Sequence, residues 1–314
     1  MANILTLRFF KKKAILLKAE TTVGTDPVPT GLANWIEARN VQFTPMEAET
    51  ADRNIELPTM GNAGKVQVAT WAKLSFDVLL AGSGAAGTAP KIGPALLACA
   101  FAETVSAGVS VAYNLVSSAF GAATLYINID GTLHKLIGSR GNVSVGIAAK
   151  GIPVLKFAFD AAYVAPAASA MPAIDRTGWP AEEAVNATNT TKFTLNAVDF
   201  AFSAFDLNVG NQMARVNLPG PQAEIAITDR QPSGGLTILA PALGTFDPFA
   251  LAQAGTVVTG TVTHGSAAGK KVQIDIKTRV TGADYDQVDN MLAYKLTLEP
   301  IPAAGDDEIA ITYL

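Results

Sequence analysis

The stretch from Lys73 to Thr104 alternates between hydrophobic and polar residues and then changes to a helical pattern. Its hydrophobic positions recur at every second residue, at Leu74, Phe76, Val78 and Leu80. This period of two is typical of a half-buried strand. A turn rich in Gly, Ala and Ser follows, and Pro94 then opens the run PALLACAFAET. The run predicts a helix, because proline is well tolerated in the first helical turn.

The second half of the chain repeats this order of elements in GGLTILAPALGTFDPFALAQAGT, where Pro248 opens the helical run FALAQA. The strand face there consists of Leu236, Ile238 and Ala240. Three more pairs of segments match, each at a constant internal offset: Val41 and Phe43 with Val198 and Phe200, VSVGI from residue 143 with VQIDI from residue 272, and LKFAF from residue 155 with YKLTL from residue 294. MARVNLPGPQAEIAITD takes the place of the long loop Ala51–Val68 of the first half. Five matches in the same order indicate an internal duplication.

This duplication predicts a mainly β protein of the α+β class, with two copies of one fold and a single helix in each copy. The first domain covers residues 1–165 and begins with an N-terminal arm over residues 1–35. A linker rich in Ala, Pro, Asn and Thr covers residues 166–190, and the second domain covers residues 191–314. Within the first domain, LYINIDGTLHKL predicts a hairpin, because Asp130-Gly131 is a favoured two-residue turn.

Composition narrows the possible functions. The 314 residues carry a formal net charge of −4, and 16% are charged, which is below the usual quarter. Low charge with abundant Ala, Val and Leu suggests that much surface is buried against other chains, although a large core alone would give a similar figure. The negative net charge argues against a nucleic-acid-binding protein, which would need a stripe of basic residues on its surface. The chain has no secretory signal pattern, and no uncharged apolar run approaches the ~20 residues that span a bilayer. The single cysteine, Cys99, is expected to be a small buried side chain.

The chemical motifs are weak. Gly82, Gly84 and Gly87 spell G-x-G-x-x-G after a strand, but two prolines and a glycine interrupt the region where a pyrophosphate-binding helix would have to begin. GSAAGKK, from residue 265, lacks the spacing and the Ser or Thr of a phosphate-binding loop, and it predicts a hairpin loop. His134 and His264 have no Cys or His at metal-ligand spacing. We therefore expect no enzyme, no cofactor and no metal site.

Several segments together resemble the major tail tube proteins of long-tailed, siphovirus-like bacteriophages. They are ETTVGTDPVPTGLANWIEARNVQFTP, KLSFDVLLAGSGAAGTAPKIGPALLACAFAET, GIPVLKFAFDAAYV, DLNVGNQ, ITDRQPSGGLTILAP and AGDDEIAITYL. The resemblance spans nearly the whole chain. It implies tail-tube-like β-sandwich or barrel domains with a flanking helix, which close into rings that stack into a hollow tube for DNA. Most members of that family carry one such domain and form six-membered rings.

The duplication changes this expectation. If each chain supplies two tube domains, three chains fill six positions, which gives a trimeric ring with pseudo-sixfold symmetry. The loops Ala51–Val68 and Met213–Thr228, together with the arm from Met1 to about Pro29, are candidates for ring-to-ring contacts by family analogy. The candidate stacking residues are Arg53, Leu57, Pro58, Met60, Arg215, Leu218 and Pro219.

The resemblance also implies partners and a location. The partners are other copies of the chain, a tape-measure protein in the lumen, tail terminator and distal tail proteins, and double-stranded DNA that passes without specific binding; a membrane partner is not expected. The protein would be assembled in the host cytoplasm and reside in the virion tail. Two alternatives remain open: another virion structural component, such as a sheath or tail-completion protein, and, further behind, an enzyme with a nucleotide site at Gly82–Gly87.

Overall fold

The computed structural model describes residues 7–220 and 222–314, and it confirms a mainly β protein with a large antiparallel sheet. The elements of the first half and of the segment after it are β1 (Lys13–Ala19), α1 (Gly31–Asn34), β2 (Ala38–Asp52), β3 (Lys65–Leu79), α2 (Gly93–Leu97), β4 (Phe101–Ser106), β5 (Ser110–Leu115), β6 (Ala123–Ile129), β7 (Thr132–Ala148), β8 (Val154–Ala162) and β9 (Ala167–Ala168). Those of the second half are β10 (Lys192–Leu195), β11 (Val198–Asp199), β12 (Phe202–Asn208), β13 (Asn211–Asn217), β14 (Ala223–Arg230), β15 (Ser233–Leu239), α3 (Pro248–Ala254), β16 (Val258–His264), β17 (Val272–Val288), β18 (Met291–Pro300) and β19 (Ile309–Tyr313).

Strands of the first half pair in the spatial order β1–β6–β7–β8–β3–β2, and every pairing is antiparallel. The predicted hairpin is present as β6 and β7, with Ile129 opposite Thr132. Its turn residues Asp130 and Gly131 both have positive φ, 42° and 96°. Positive φ at both central residues is the requirement of the type I′ turn, which explains why Asp-Gly stands at this position.

Strands of the second half pair in the spatial order β10–β16–β17–β18–β15–β12, again antiparallel throughout. The loop GSAAGKK joins β16 to β17, as a hairpin loop should, with His264 opposite Val272. The hairpin β13–β14, which lies between β12 and β15 in the chain, forms a separate two-stranded sheet.

Two strand pairings join the halves. Strand β12 lies beside the last part of β7, where Ala204 to Asn208 face Ala148 to Ser144. Strand β19 lies between β17 and β5, so the end of the chain returns to the first half. The buried apolar residues of both halves form one continuous core. Because backbone pairing and apolar packing both cross the boundary, the halves are held together by more than the segment that connects them.

The inward faces of the strands carry the side chains that the alternation predicts. Phe76 of β3 packs on Phe157 and Phe159 of β8, with ring centroids 5.6 and 5.9 Å apart. All three side chains are buried. Offset and tilted aromatic pairs at this spacing add to the free energy gained from burying their apolar area. In the second half, Leu236 and Ile238 of β15 face Leu296 and Tyr294 of β18 in the same way.

The helix predicted over PALLACAFAET is much shorter than expected. Helix α2 ends at Leu97, and the segment from Phe101 onward is strand β4. Ala100 has φ of 67°, in the left-handed region that ends the helical path. Pairing of β4 with β5 therefore overrides the helical spacing of this sequence. The second predicted helix is present as α3, where the Asp247 side chain accepts hydrogen bonds from the amides of Phe249 and Ala250.

The segment predicted as an N-terminal arm is partly a strand of the core. Strand β1 pairs with β6 along its whole length, and Ala14 to Leu17 are buried. Residues 1–6 of the predicted arm lie outside the described residues. The segment predicted as a linker also packs on the body of the protein, because Val185 is buried and the Trp179 ring contacts that of Trp35 at a centroid distance of 6.1 Å. No helix in the described part of the chain is long and apolar enough to span a membrane.

Asp26 ties the segment after β1 to the sheet, and this contact makes stability depend on pH. Burial alone would raise the pKa of Asp26, but hydrogen bonds from Tyr126 and Lys135 outweigh it and hold the pKa below its ordinary value of 3.8. A carboxyl whose pKa is lowered by folding stabilises the folded state above its ordinary pKa, and this stabilisation is lost as the pH falls through the lowered value.

We therefore expect Asp26→Asn to lower the free energy of unfolding at pH 7 by about 2 kcal/mol, because a hydrogen-bonded charge is lost. The difference should shrink as the pH falls through the lowered pKa of the wild-type carboxyl. Urea unfolding over a series of pH values from 7 downward measures it, with Asp199→Asn at an exposed site as the control. A difference that stays the same over the whole series would contradict this role of Asp26.

Candidate assembly interface

The β2–β3 hairpin projects a long exposed loop from the first half. Its strands remain paired as far as Asp52 and Lys65, and the connecting residues 53–64 are almost entirely exposed. Leu57 is 44% exposed, and Met60 is fully exposed at 105%. A loop of this length that carries large apolar side chains into solvent is typical of a contact surface.

A second hairpin, β13–β14, projects from the corresponding place between β12 and β15. Residues 209–210 and 231–232 separate it from the main sheet. Gly210 has φ of 73°, and a Cβ atom there would lie 2.0 Å from the backbone oxygen of Gln231. Only glycine fits this close backbone crossing, which lets the hairpin leave the sheet. Leu218 at its tip is 68% exposed.

Two arginines fasten the β13–β14 hairpin to the first half. Arg215 of β13 forms ion pairs with Glu47 of β2 at 2.8 Å and with Asp160 of β8 at 3.4 Å. The hydrogen bond from Arg215 is the main reason why the pKa of Glu47 lies below its ordinary value. Because each contact joins β13 to a different strand of the first half, the hairpin is held in one orientation.

Arg140 of β7 is the more deeply buried anchor, with 8% of its surface exposed. Its guanidinium donates to the backbone oxygen of Ile225 at 2.7 Å and pairs with Glu224 at 3.3 Å. The same group donates to the backbone oxygens of Phe120 and Gly121. One side chain therefore holds β14, β7 and the segment before β6 together.

The candidate stacking residues fall into two groups. Six of them are exposed on the two hairpin tips: Arg53, Leu57, Pro58, Met60, Leu218 and Pro219. Arg215 lies further down β13, where its guanidinium is engaged by Glu47 and Asp160, so its observed role is to hold the hairpin. The structure brings Leu57 and Met60 together on one loop and places Leu218 on the other. Sequence reasoning missed Arg140, because nothing in its neighbourhood along the chain signals a partner more than 80 residues away.

The two phosphate-loop-like sequences contact each other. The amide of Gly84 donates to the backbone oxygen of Gly269 at 2.8 Å. A Cβ atom at Gly82 would lie 2.2 Å from that same oxygen, and one at Gly269 would lie 2.8 Å from Ala85. These glycines permit two backbones to pass closely at the boundary between the halves. Helix α2 begins only at Gly93 and has five residues, so the glycine turn does not lead into a phosphate-binding helix.

Glu183 of the predicted linker completes this junction. Its carboxylate accepts hydrogen bonds from the amide and the hydroxyl of Ser266 and pairs with Lys270 at 3.2 Å. The hydrogen bond from Ser266 is the main cause that lowers the pKa of Glu183. The loop GSAAGKK is therefore bound from two sides, by the glycine turn of the first half and by the linker.

The cysteine and the two histidines, the remaining candidates for chemistry, lie in packed surroundings. Cys99 is fully buried, and burial raises the pKa of its thiol, which disfavours the reactive thiolate. His264 is buried with Nδ1 2.9 Å from the Thr190 hydroxyl, and burial lowers its pKa. His134 packs edge-on against Phe43. Across residues 7–220 and 222–314, no three His, Cys, Asp or Glu side chains are grouped so that they could hold a metal ion.

We expect Gly210→Ala to destabilise the protein by about 3 kcal/mol, because a methyl group at positive φ would also collide with the backbone of Gln231. Urea unfolding checks this value. Gly235→Ala is the matched control, because a Cβ atom there meets nothing within 4 Å. Equal stability of the two variants would show that the hairpin does not depend on this crossing.

Comparison with known families gives a match over almost the whole chain. The model of the family described as phage tail tube protein matches residues 11–313. A comparison with curated proteins finds no match. The matched range includes both hairpins, the glycine-rich junction and every strand described above.

Proposed function

Because the chain belongs to the phage tail tube protein family, a family of structural tail components, we propose that it is the major subunit of a tail tube of the long-tailed type. Three copies would form each ring, and the rings would stack around a lumen that conducts DNA during ejection. The observation that carries this proposal is the matching strand order of the two halves, since it gives each chain two places in a ring.

The two orders match strand by strand. Each half contains six corresponding strands, counted here in chain order. In both halves the first strand pairs with the fourth, the sixth pairs with the third, and the third pairs with the second. The correspondence is β1 with β10, β2 with β12, β3 with β15, β6 with β16, β7 with β17 and β8 with β18. Helices α2 and α3 lie at the same place in each series, between the third and fourth strands. The β4–β5 hairpin is present in the first half alone.

Two pairs of β-bulges support the same correspondence. Strand β2 shifts register against β3 at three places, the first between Arg39 and Gln42, and β12 shifts against β15 between Phe202 and Ala204. Strand β7 shifts against β8 before Arg140, and β17 shifts against β18 before Gly282. Bulges tend to be retained when a fold is copied, because they set the local twist of the sheet. Alignment on them places Phe43 with Phe205 and Val143 with Tyr285.

The two halves of the chain contact each other side to side. In a ring, the same kind of contact would recur between the second half of one chain and the first half of the next. A heterologous contact of this kind closes into a ring when the rotation per contact divides the circle evenly. Six domain positions then require three chains. Stacking of the rings is a second heterologous contact, and because it does not close, it extends into a filament. The exposed tips around Leu57, Met60 and Leu218 are the proposed stacking surface.

DNA conduction is consistent with the charge of the chain. With a net charge of −4 the chain has no overall positive charge to retain phosphate, so DNA could slide through a lumen built from such chains. In this role the tube would enclose a tape-measure protein before ejection and end against tail terminator and distal tail proteins. Assembly would take place in the host cytoplasm, with no membrane partner and no catalytic step.

Electron microscopy of the purified protein tests this function. We expect hollow tubes with regular ring striations. Closed rings that never stack, or monomers at high concentration, would favour another virion component such as a sheath or tail-completion protein. Measured nucleotide binding that Gly84→Val abolishes would favour an enzyme instead.

A further inference from the structure

Among the strand edges that lack a partner in the described part of the chain are those of β2 and of the last part of β17. Strand β2 pairs with β3 on one side, and its other side faces no strand among residues 7–220 and 222–314. Strand β17 pairs with β16 as far as Thr278, but from Gly282 to Val288 it has β18 on one side only. Open edges of this length expose unpaired amides and carbonyls, and they invite a strand from another molecule.

The junction between the halves shows what occupies the equivalent edges. Strand β12, the counterpart of β2, lies antiparallel to β7, the counterpart of β17. In that pairing Asp206 is opposite Gly146, and the amide of Val209 also donates to the backbone oxygen of Val143 at 3.1 Å. The counterparts of the two joined edges are thus open: the β2 edge on the first half and the β17 edge on the second half.

Side chains beside the occupied edge of the first half are buried, whereas their counterparts beside the open edge of the second half are exposed. Val143 and Leu155, beside the occupied edge of β7, are 0% and 1% exposed. Their counterparts by the bulge alignment are Tyr285 of β17 and Leu292 of β18, which are 65% and 56% exposed. Two large side chains are therefore bare in the second half at the place where their counterparts in the first half are covered. Such exposed side chains mark a site of association.

We infer that the β2 edge of one copy pairs with the β17 edge of the next copy, in the register of the β12–β7 junction. This inference rests on the proposed trimeric ring and names the contact that closes it. Transfer of the Asp206–Gly146 pair through the bulge alignment places Thr44 of one copy opposite Val288 of the next. The strands run antiparallel, and the neighbour covers Tyr285 and Leu292.

Cysteine cross-linking in assembled tubes tests this register. Directly opposite residues of antiparallel strands have Cα atoms ~4.5–5.5 Å apart, which lies within the range for a disulfide. The chain's single cysteine is buried and does not interfere. We expect the double variant Thr44→Cys, Val288→Cys, under mild oxidation, to give reducible species of two and three chains on a denaturing gel, with none larger.

Two matched pairs serve as controls. Gly146→Cys with Asp206→Cys should form a disulfide within one chain and leave the protein at monomer mass, since these residues already face each other. Thr44→Cys with Asp284→Cys should cross-link at least tenfold less, because four residues along a strand add ~13 Å. If the double variant does not assemble, coexpressed chains that carry Thr44→Cys and Val288→Cys separately should yield the two-chain species.

The outcomes separate this inference from the function on which it rests. Three-chain rings whose Thr44–Val288 pair cross-links no better than the Thr44–Asp284 pair would overturn the inferred edge pairing and leave the tube function intact. A wild-type protein that forms no rings would overturn the function itself. Cross-linked species that continue to six chains would support the edge pairing and contradict the trimer.

Discussion

The double variant Leu57→Asp, Met60→Asp is expected to abolish tubes and leave single rings. Both side chains are exposed on the loop of residues 53–64, at 44% and 105%, so the substitution disturbs no core packing. In a stacked tube the same positions would be buried, and an unpaired carboxylate in a buried contact costs several kcal/mol. Each 1.4 kcal/mol is a factor of ten in association, so the number of tubes should fall by more than tenfold. Negative-stain microscopy and sedimentation measure the two populations.

The matched control is Leu57→Met, Met60→Leu, which preserves apolar character and approximate volume and should leave tube length unchanged. The β2 residues inferred to close the ring lie ten or more positions away from the two substituted sites, so ring formation should survive in both variants. Tubes of wild-type length in the Asp variant would contradict the assignment of this loop to stacking. Loss of rings as well as tubes would place the loop in the ring contact instead.

Arg140→Met is expected to produce a large loss of stability. The guanidinium is almost completely buried and donates to three backbone oxygens, those of Phe120, Gly121 and Ile225. Its removal leaves these acceptors unsatisfied and Glu224 without its cation, which costs about 3–5 kcal/mol. For a chain of this size, a loss of that order lowers Tm by about 10 °C.

Differential scanning calorimetry measures the shift, with Arg279→Met as the control, because Arg279 is exposed and its replacement should change Tm by less than about 2 °C. Limited proteolysis adds a local readout: cleavage within β13–β14 should accelerate in the Arg140 variant, since this residue holds Ile225 and Glu224 in place. Unchanged Tm together with unchanged cleavage would contradict the anchoring role.

Local sequence signals predicted much of the fold. The alternation of Leu74, Phe76 and Val78 marks β3, and Asp130-Gly131 marks the hairpin turn, because both depend on a few neighbouring residues. Helix α2 was predicted too long, since the conversion of FAETVS into β4 depends on pairing with β5, which comes later in the chain. Local spacing contains no information about that partner.

The sequence matches between the halves also show that the register of strand pairing cannot be predicted from the local pattern of residues. VSVGI and VQIDI occupy β7 and β17, the expected strands, but Val143 lies in the part of β7 that pairs with β8, whereas Val272 lies in the part of β17 that pairs with β16 and β19. Alternating hydrophobic residues look alike at every second position, so pattern alone identifies the strand but not the register. Bulges identify the register, and they are visible only in the paired sheet.

The candidate interface was predictable where exposure follows from local composition. Pro58, Gly61 and Gly64 mark a loop too long for a tight hairpin, and this loop is indeed exposed. The role of Arg215 was not predictable, because its partners Glu47 and Asp160 lie 168 and 55 residues away. The glycine-rich turns at Gly84 and Gly269 resembled phosphate loops for a related reason: close backbone approach needs glycine whether the neighbour is a phosphate or another strand.

The number of chains in one ring tests the central claim most directly. Cryo-electron microscopy of the tubes at a resolution that traces the backbone should show three chains per ring. Six similar densities should alternate between one that carries the β4–β5 hairpin and one that lacks it. A ring of six identical chains, with twelve domains around the lumen or with one half of each chain outside the circle, would contradict the account.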